Sequence, residues 1–154
     1  MNHEKIGYWV SLTANLGVLI GIVAVVAELQ QTQVALTAES SNTRSQTASE
    51  IGLFSAEIGI GNIQAKLSSG ESLSELEDLH MRQWMGIQMR YFENMHFQSQ
   101  LGVLDEEIWQ ANLSGIRRLS QMPGFDYANP DWPNSFGASI YRSSFVDLIE
   151  SFRD

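Results

Sequence analysis

The chain has 154 residues, enough for one modest domain beside a further segment, since compact domains commonly run to about 100 to 150 residues. Nine Lys and Arg face eighteen Asp and Glu, and the resulting net charge of -9 has the wrong sign for neutralising nucleic-acid phosphates or docking on an anionic lipid surface. With no cysteine, disulfides, thiolate metal sites and a cysteine nucleophile are excluded.

From Ile6 to Ala27, 22 consecutive residues carry no charge. As a helix they span roughly 33 Å at the standard rise, enough for a bilayer core. Tyr8 and Trp9 stand at the leading edge, where amphipathic rings favour the headgroup layer, and Lys5 and Glu28 close the two ends with charge. A domain this small rarely encloses an uncharged helix of such length, so a transmembrane anchor over residues 1–29 is expected rather than a core helix. Val25 and Ala27 suit a cleavage site before Glu28, but the segment is expected to be retained. Lys5 before the span and Arg44 after it leave the orientation undecided.

Steps of three and four from Ala14 reach Gly17, Gly21, Ala24, Glu28, Gln31, Ala35, Ala38, Asn42, Ser45, Ser49, Gly52, Ala56 and Gly59. Eleven of these 14 positions are Gly, Ala or Ser, against five among the other 32 residues of the stretch. A heptad period keeps one face turned to a partner, and small residues there let backbones approach closely, above all across Gly17-x-x-x-Gly21. Ala14, Gly17, Gly21 and Ala24 are therefore the expected seam for helix association. The helix is expected to continue beyond the bilayer as a stalk to about Gly59, on the order of 70 Å from Ala14. The competing reading for Thr37 to Ser49 is a flexible Ser/Thr-rich linker, so residues 30–66 are a stalk helix or a linker. Asn15 lies roughly 140° from the centre of the seam at about 100° per residue, with Ser11 one turn earlier. Polar groups in a bilayer usually face protein or water, which makes Ser11 and Asn15 candidates for lining a lumen.

An acidic helical domain is expected over residues 71–154. Ser72 to Glu75 and Ser74 to Glu77 both fit a capping box, followed by an apolar face of Leu76, Leu79, Trp84, Ile87, Tyr91 and Met95, with Gly102 as the stop. Asp105 and Glu106 open a helix with Ile108, Trp109, Ile116 and Leu119 on its core side, ended by Pro123-Gly124. Phe125 to Phe136 reads as an irregular aromatic connection, and Ser144 to Phe152 as a last short helix. No strand pattern appears, so the fold class is all-α: an N-terminal transmembrane helix continuing as a long stalk, then a small helical domain.

Two Glu-x-x-His steps, Glu77 to His80 and Glu93 to His96, have the spacing used in di-iron helix bundles. Both fall on one predicted helix, about 24 Å apart along its axis, whereas such a centre needs them on different helices. A solvated glutamate and a half-buried histidine are expected instead. Asp105-Glu106-Glu107 has a sufficient explanation at a helix start, and Arg117-Arg118 near a helix end. Neither a phosphate loop nor a serine nucleophile motif is present, so no enzyme, cofactor or metal is expected.

Ile6-Gly7, Asn15-Leu-Gly-Val, Glu28-Leu-Gln, Arg90-Tyr-Phe-Glu-Asn94, Gly102-Val-Leu-Asp-Glu-Glu-Ile-Trp109 and Pro123-Gly-Phe125 together cover most of the chain. In these the chain resembles a widespread group of bacterial single-pass membrane proteins of unknown function. The resemblance implies a single-pass protein of the bacterial inner membrane and carries no catalytic residues. Gln30, Gln31 and Gln33 stand where that group usually has basic residues, which removes its hint of a cytoplasmic domain. The expected partners are a second copy of the chain, the lipid bilayer and another membrane protein. Two functions are left open: a non-enzymatic, self-associating scaffold or accessory subunit, and a homo-oligomeric pore lined by Ser11 and Asn15.

Overall fold

A computed structural model describes residues 3–134 and 136–153. It is 82% helical, and the described residues form no strand. Among the described residues seven helices follow one another: α1 His3–Glu57, α2 Ile60–Ser69, α3 Glu75–Gln100, α4 Glu106–Ser120, α5 Pro123–Ala128, α6 Phe136–Ser139 and α7 Ser143–Glu150. Two compact units divide the chain, Met1–Ser49 and Glu50–Asp154.

In the first unit the chain is helical throughout its described length, including the Ser/Thr-rich stretch from Thr37 to Ser49. No proline occurs before Pro123, so nothing removes a backbone donor here. The hydroxyls that compete with helix elsewhere bond back along it. Thr32, Thr37, Thr47 and Ser49 each donate to the carbonyl four residues earlier, at 2.9 Å.

The second unit begins earlier than residue 71, because the end of α1 and the whole of α2 supply core side chains. Ile63 is buried, and Phe54, Ile58, Ile60 and Leu67 pack against the same cluster. The Ser/Thr-rich stretch before them has no comparable apolar surface to bury. Ser55 ties the last turns of α1 to α3 by accepting a 2.7 Å hydrogen bond from Trp84 Nε1 while donating to the Ile51 carbonyl.

Of the two candidate capping boxes, Ser74 to Glu77 is the one formed. Glu77 N donates to Ser74 Oγ at 3.3 Å, and Ser74 N donates to Glu77 Oε2 at 2.9 Å. Lys66 Nζ donates to Glu77 Oε1 at 2.6 Å, which joins the end of α2 to the start of α3. That bond, with the Ser74 backbone and hydroxyl, holds the Glu77 carboxyl at about 2, below its ordinary 4.5. A folded-state value lower than the unfolded one adds stability that is present above pH 4.5 and is lost as the pH falls toward 2. Glu77→Gln is expected to flatten this part of an acid-unfolding curve, while a curve as steep as the parent's would rule the assignment out.

The buried face of α3 holds Trp84 and Met95 as expected, but not Leu76, Leu79 or Ile87. Met81, Trp84, Met85, Met89, Glu93, Met95 and His96 are buried, whereas Leu76 is 60% exposed and Leu79 and Ile87 also face solvent. Methionine at i, i+4 and i+8 carries the core contact beside Trp84, in place of the expected leucines and isoleucine. Ile108 is likewise exposed, while Ile116 and Leu119 turn inward as expected. At Gly102, φ is 68°, and the Gly102 and Val103 amides bond the Ser99 and Gln98 carbonyls, which stops α3 in a Schellman pattern.

α4 stops at Ser120, just ahead of Pro123-Gly124 as expected, and Pro123 is also the first residue of α5, where its missing N–H costs nothing. Residues 125–128 are therefore helical rather than irregular. Gly124 lets α5 approach α3 closely, and a Cβ there would have to push aside the Met81 methyl. Phe125 and Phe145, both fully buried, complete the core with Ile116, Leu119 and Ile149.

Candidate functional site

Two parts of the molecule carry the sequence-derived candidates. The first is the apolar half of α1. Within Ser11–Glu57 the helix is long and apolar enough to cross a membrane, and none of its most apolar 18-residue window is buried. Leu16, Val18, Leu19, Ile20, Ile22, Val23, Val25 and Val26 are all exposed. Apolar residues thus ring the helix instead of forming a stripe, the pattern of a helix surrounded by protein or by lipid. Ser11, Ala14, Asn15, Gly17, Gly21 and Ala24 are exposed as well, and nothing lies within 4 Å of a Cβ built at Gly17 or Gly21. Thr13 Oγ1 donates to the Trp9 carbonyl at 2.9 Å, so this hydroxyl satisfies itself inside the helix and needs no water.

The second part lies where the α6–α7 connection meets α3. Glu93 and His96 are 7% and 8% exposed, correcting the expected solvated glutamate and half-buried histidine. Glu93 Oε1 accepts from Arg142 N at 2.8 Å, and Oε2 accepts from Arg90 Nη1 at 2.9 Å. Arg90 also donates to the Ile140 carbonyl at 3.1 Å, with its guanidinium 4.7 Å from the Tyr141 ring centre. The Arg142 guanidinium stacks 3.9 Å from the Phe97 ring centre. Residues 140–142 are clamped to α3 by these contacts. Burial first of all pushes the Tyr141 hydroxyl up from its ordinary 10.0.

No family model, curated protein or solved structure matches the chain.

Function therefore rests on geometry. The two Glu-x-x-His steps do not converge: Glu77 serves Lys66 and the α3 cap, and Glu93 serves Arg142 and Arg90. Among the described residues no three His, Asp or Glu side chains gather as metal ligands would. Asp105 acts as a cap, with Oδ1 accepting from Glu107 N at 2.8 Å and Ile108 N at 3.4 Å. The Arg117 guanidinium lies 4.8 Å from the Phe152 ring centre. Within the Glu93 clamp, Arg90 and Glu93 at i, i+3 carry a local sequence signal for their own ion pair, while the bond from Arg142 carries none.

Proposed function

We propose that this chain is a non-enzymatic single-pass membrane protein that self-associates along Ala14, Gly17, Gly21 and Ala24 and carries its acidic helical domain as a scaffold or accessory subunit. The observation that carries the reading is the apolar half of α1, which is apolar on every side and has no protein packed on it. Lipid covers such a surface at no cost in backbone polarity, because every amide within the helix is bonded internally. Inside lipid there is no hydrophobic drive between helices, so association must come from close packing, and the open backbone at Gly17 and Gly21 is where a second helix fits closest.

The expected result is that the full chain stays in the membrane fraction through alkaline and high-salt washes and leaves it with detergent. Release by the washes alone would contradict the anchor.

A pore is the second reading, and Asn15 favours it: the side chain is exposed, has no hydrogen-bond partner among the described residues, and lies well away from the seam. In reconstituted bilayers, Asn15→Leu separates the two. A scaffold shows no conductance with or without the change, whereas a pore lined by Ser11 and Asn15 conducts and then loses or alters that conductance.

A further inference from the structure

His96 is a buried titratable group that no side chain pairs with. Its ring lies between Trp109 of α4 and Phe145 of α7, with centroids 5.6 and 5.9 Å away and interplanar angles of 35° and 37°. Both Nδ1 and Nε2 are shielded from solvent and neither makes a well-formed hydrogen bond, the Ser144 backbone being the one hydrogen-bonding group that acts on the ring. A neutral imidazole in such a slot leaves its second nitrogen unmet; an imidazolium turns that nitrogen into an unmet donor and adds a buried charge.

We propose that His96 is an acid-sensitive latch on α7: once protonated it no longer fits between Trp109 and Phe145, and residues 142–150 come away from α3 and α4. The proposal stands apart from the membrane reading, since every residue it uses lies in the Glu50–Asp154 unit.

The charges around the ring decide whether a proton is tolerated. Arg142, at the entrance to α7, and Glu93, on α3, are the charged groups that act on it. Glu93 does not offer a free carboxylate, because one oxygen takes the Arg142 amide and the other the Arg90 guanidinium. Glu106 and Glu107 stand exposed at the start of α4, the helix that presents Trp109. On α7, Asp147 is exposed and Glu150 lies beside Arg153. Burial most of all, with Arg142 in the same direction, holds His96 below its ordinary 6.5, while the Ser144 backbone and the Glu93 charge oppose them without reversing the shift. A histidine whose folded value is lower than its unfolded one costs nothing above pH 6.5 and destabilises the fold as the pH drops through and below that point. This window lies above the one in which Glu77 titrates.

Amide hydrogen exchange of the full chain in detergent micelles, corrected for intrinsic rates and compared at about pH 7.5 and about pH 5.5, tests the latch. The parent is expected to lose on the order of tenfold protection in α7 at the lower pH, and His96→Phe, which fills the slot without titrating, to keep it. Equal loss in both proteins, or no loss in the parent, would overturn the proposal. If His96→Phe does not fold, the ring titration followed by NMR in the parent decides. A midpoint below 6.5 that coincides with opening of α7 supports the latch, and a midpoint at or above 6.5, or one without opening, refutes it.

Discussion

Phe125→Ala is expected to remove about 3 to 5 kcal/mol from the stability of the Glu50–Asp154 unit, the range for deleting a fully buried phenylalanine. The ring has neighbours that cannot easily follow it inward. Trp132 stands edge-on at 5.4 Å, and the Arg153 guanidinium lies 4.7 Å from the ring centre. Arg153 is itself held, donating to the Ser120 carbonyl at 2.6 Å and pairing with Asp126. The cavity left behind would therefore stay open and carry the full penalty. Domains of this size are stable by only about 5 to 15 kcal/mol, so the variant should be marginal in chemical denaturation. Leu79→Ala, at an exposed position that the sequence pattern assigns to the core, is the control and should change stability by about 0.5 kcal/mol or less. Comparable losses for the two variants would contradict the core described for α3 and α5.

The contrast between these positions shows where sequence patterning holds and where it fails. Helix starts and stops were readable because they depend on local chemistry: Ser74 with Glu77, Asp105 at α4 and Gly102 after α3 act within a turn of their own position. The buried face of α3 depends on what packs against it. Leucine and isoleucine were expected there, while Met81, Met85 and Met89 line it beside Trp84 because unbranched side chains fill the irregular space left by Ile63, Phe125 and Ile116. The core role of Phe54, Ile58 and Ile63 depends in the same way on helices distant in sequence.

The candidate site divides in the same way. An uncharged run from Ile6 to Ala27 is visible by inspection, and Ser11–Glu57 is the helix with the length and composition to cross a membrane. The Glu93 clamp and the His96 slot join residues some 49 positions apart, through the bond from Arg142 N to Glu93 Oε1, and no local pattern announces such a contact. Glu-x-x-His spacing pointed at those residues for a different reason, metal ligation, from the roles they have in the fold.

In the proposed assembly the α1 helices meet along their small residues. Leucine at Gly21 adds bulk where backbones would touch and only strengthens an apolar span, so insertion survives while packing does not. The most direct measurement is the mass of the protein in detergent-solubilised particles, parent beside Gly21→Leu. The parent is expected to hold two or more chains, and the Gly21→Leu variant fewer while still membrane-inserted. A monomeric parent, or a variant with the same mass as the parent, would contradict this assembly.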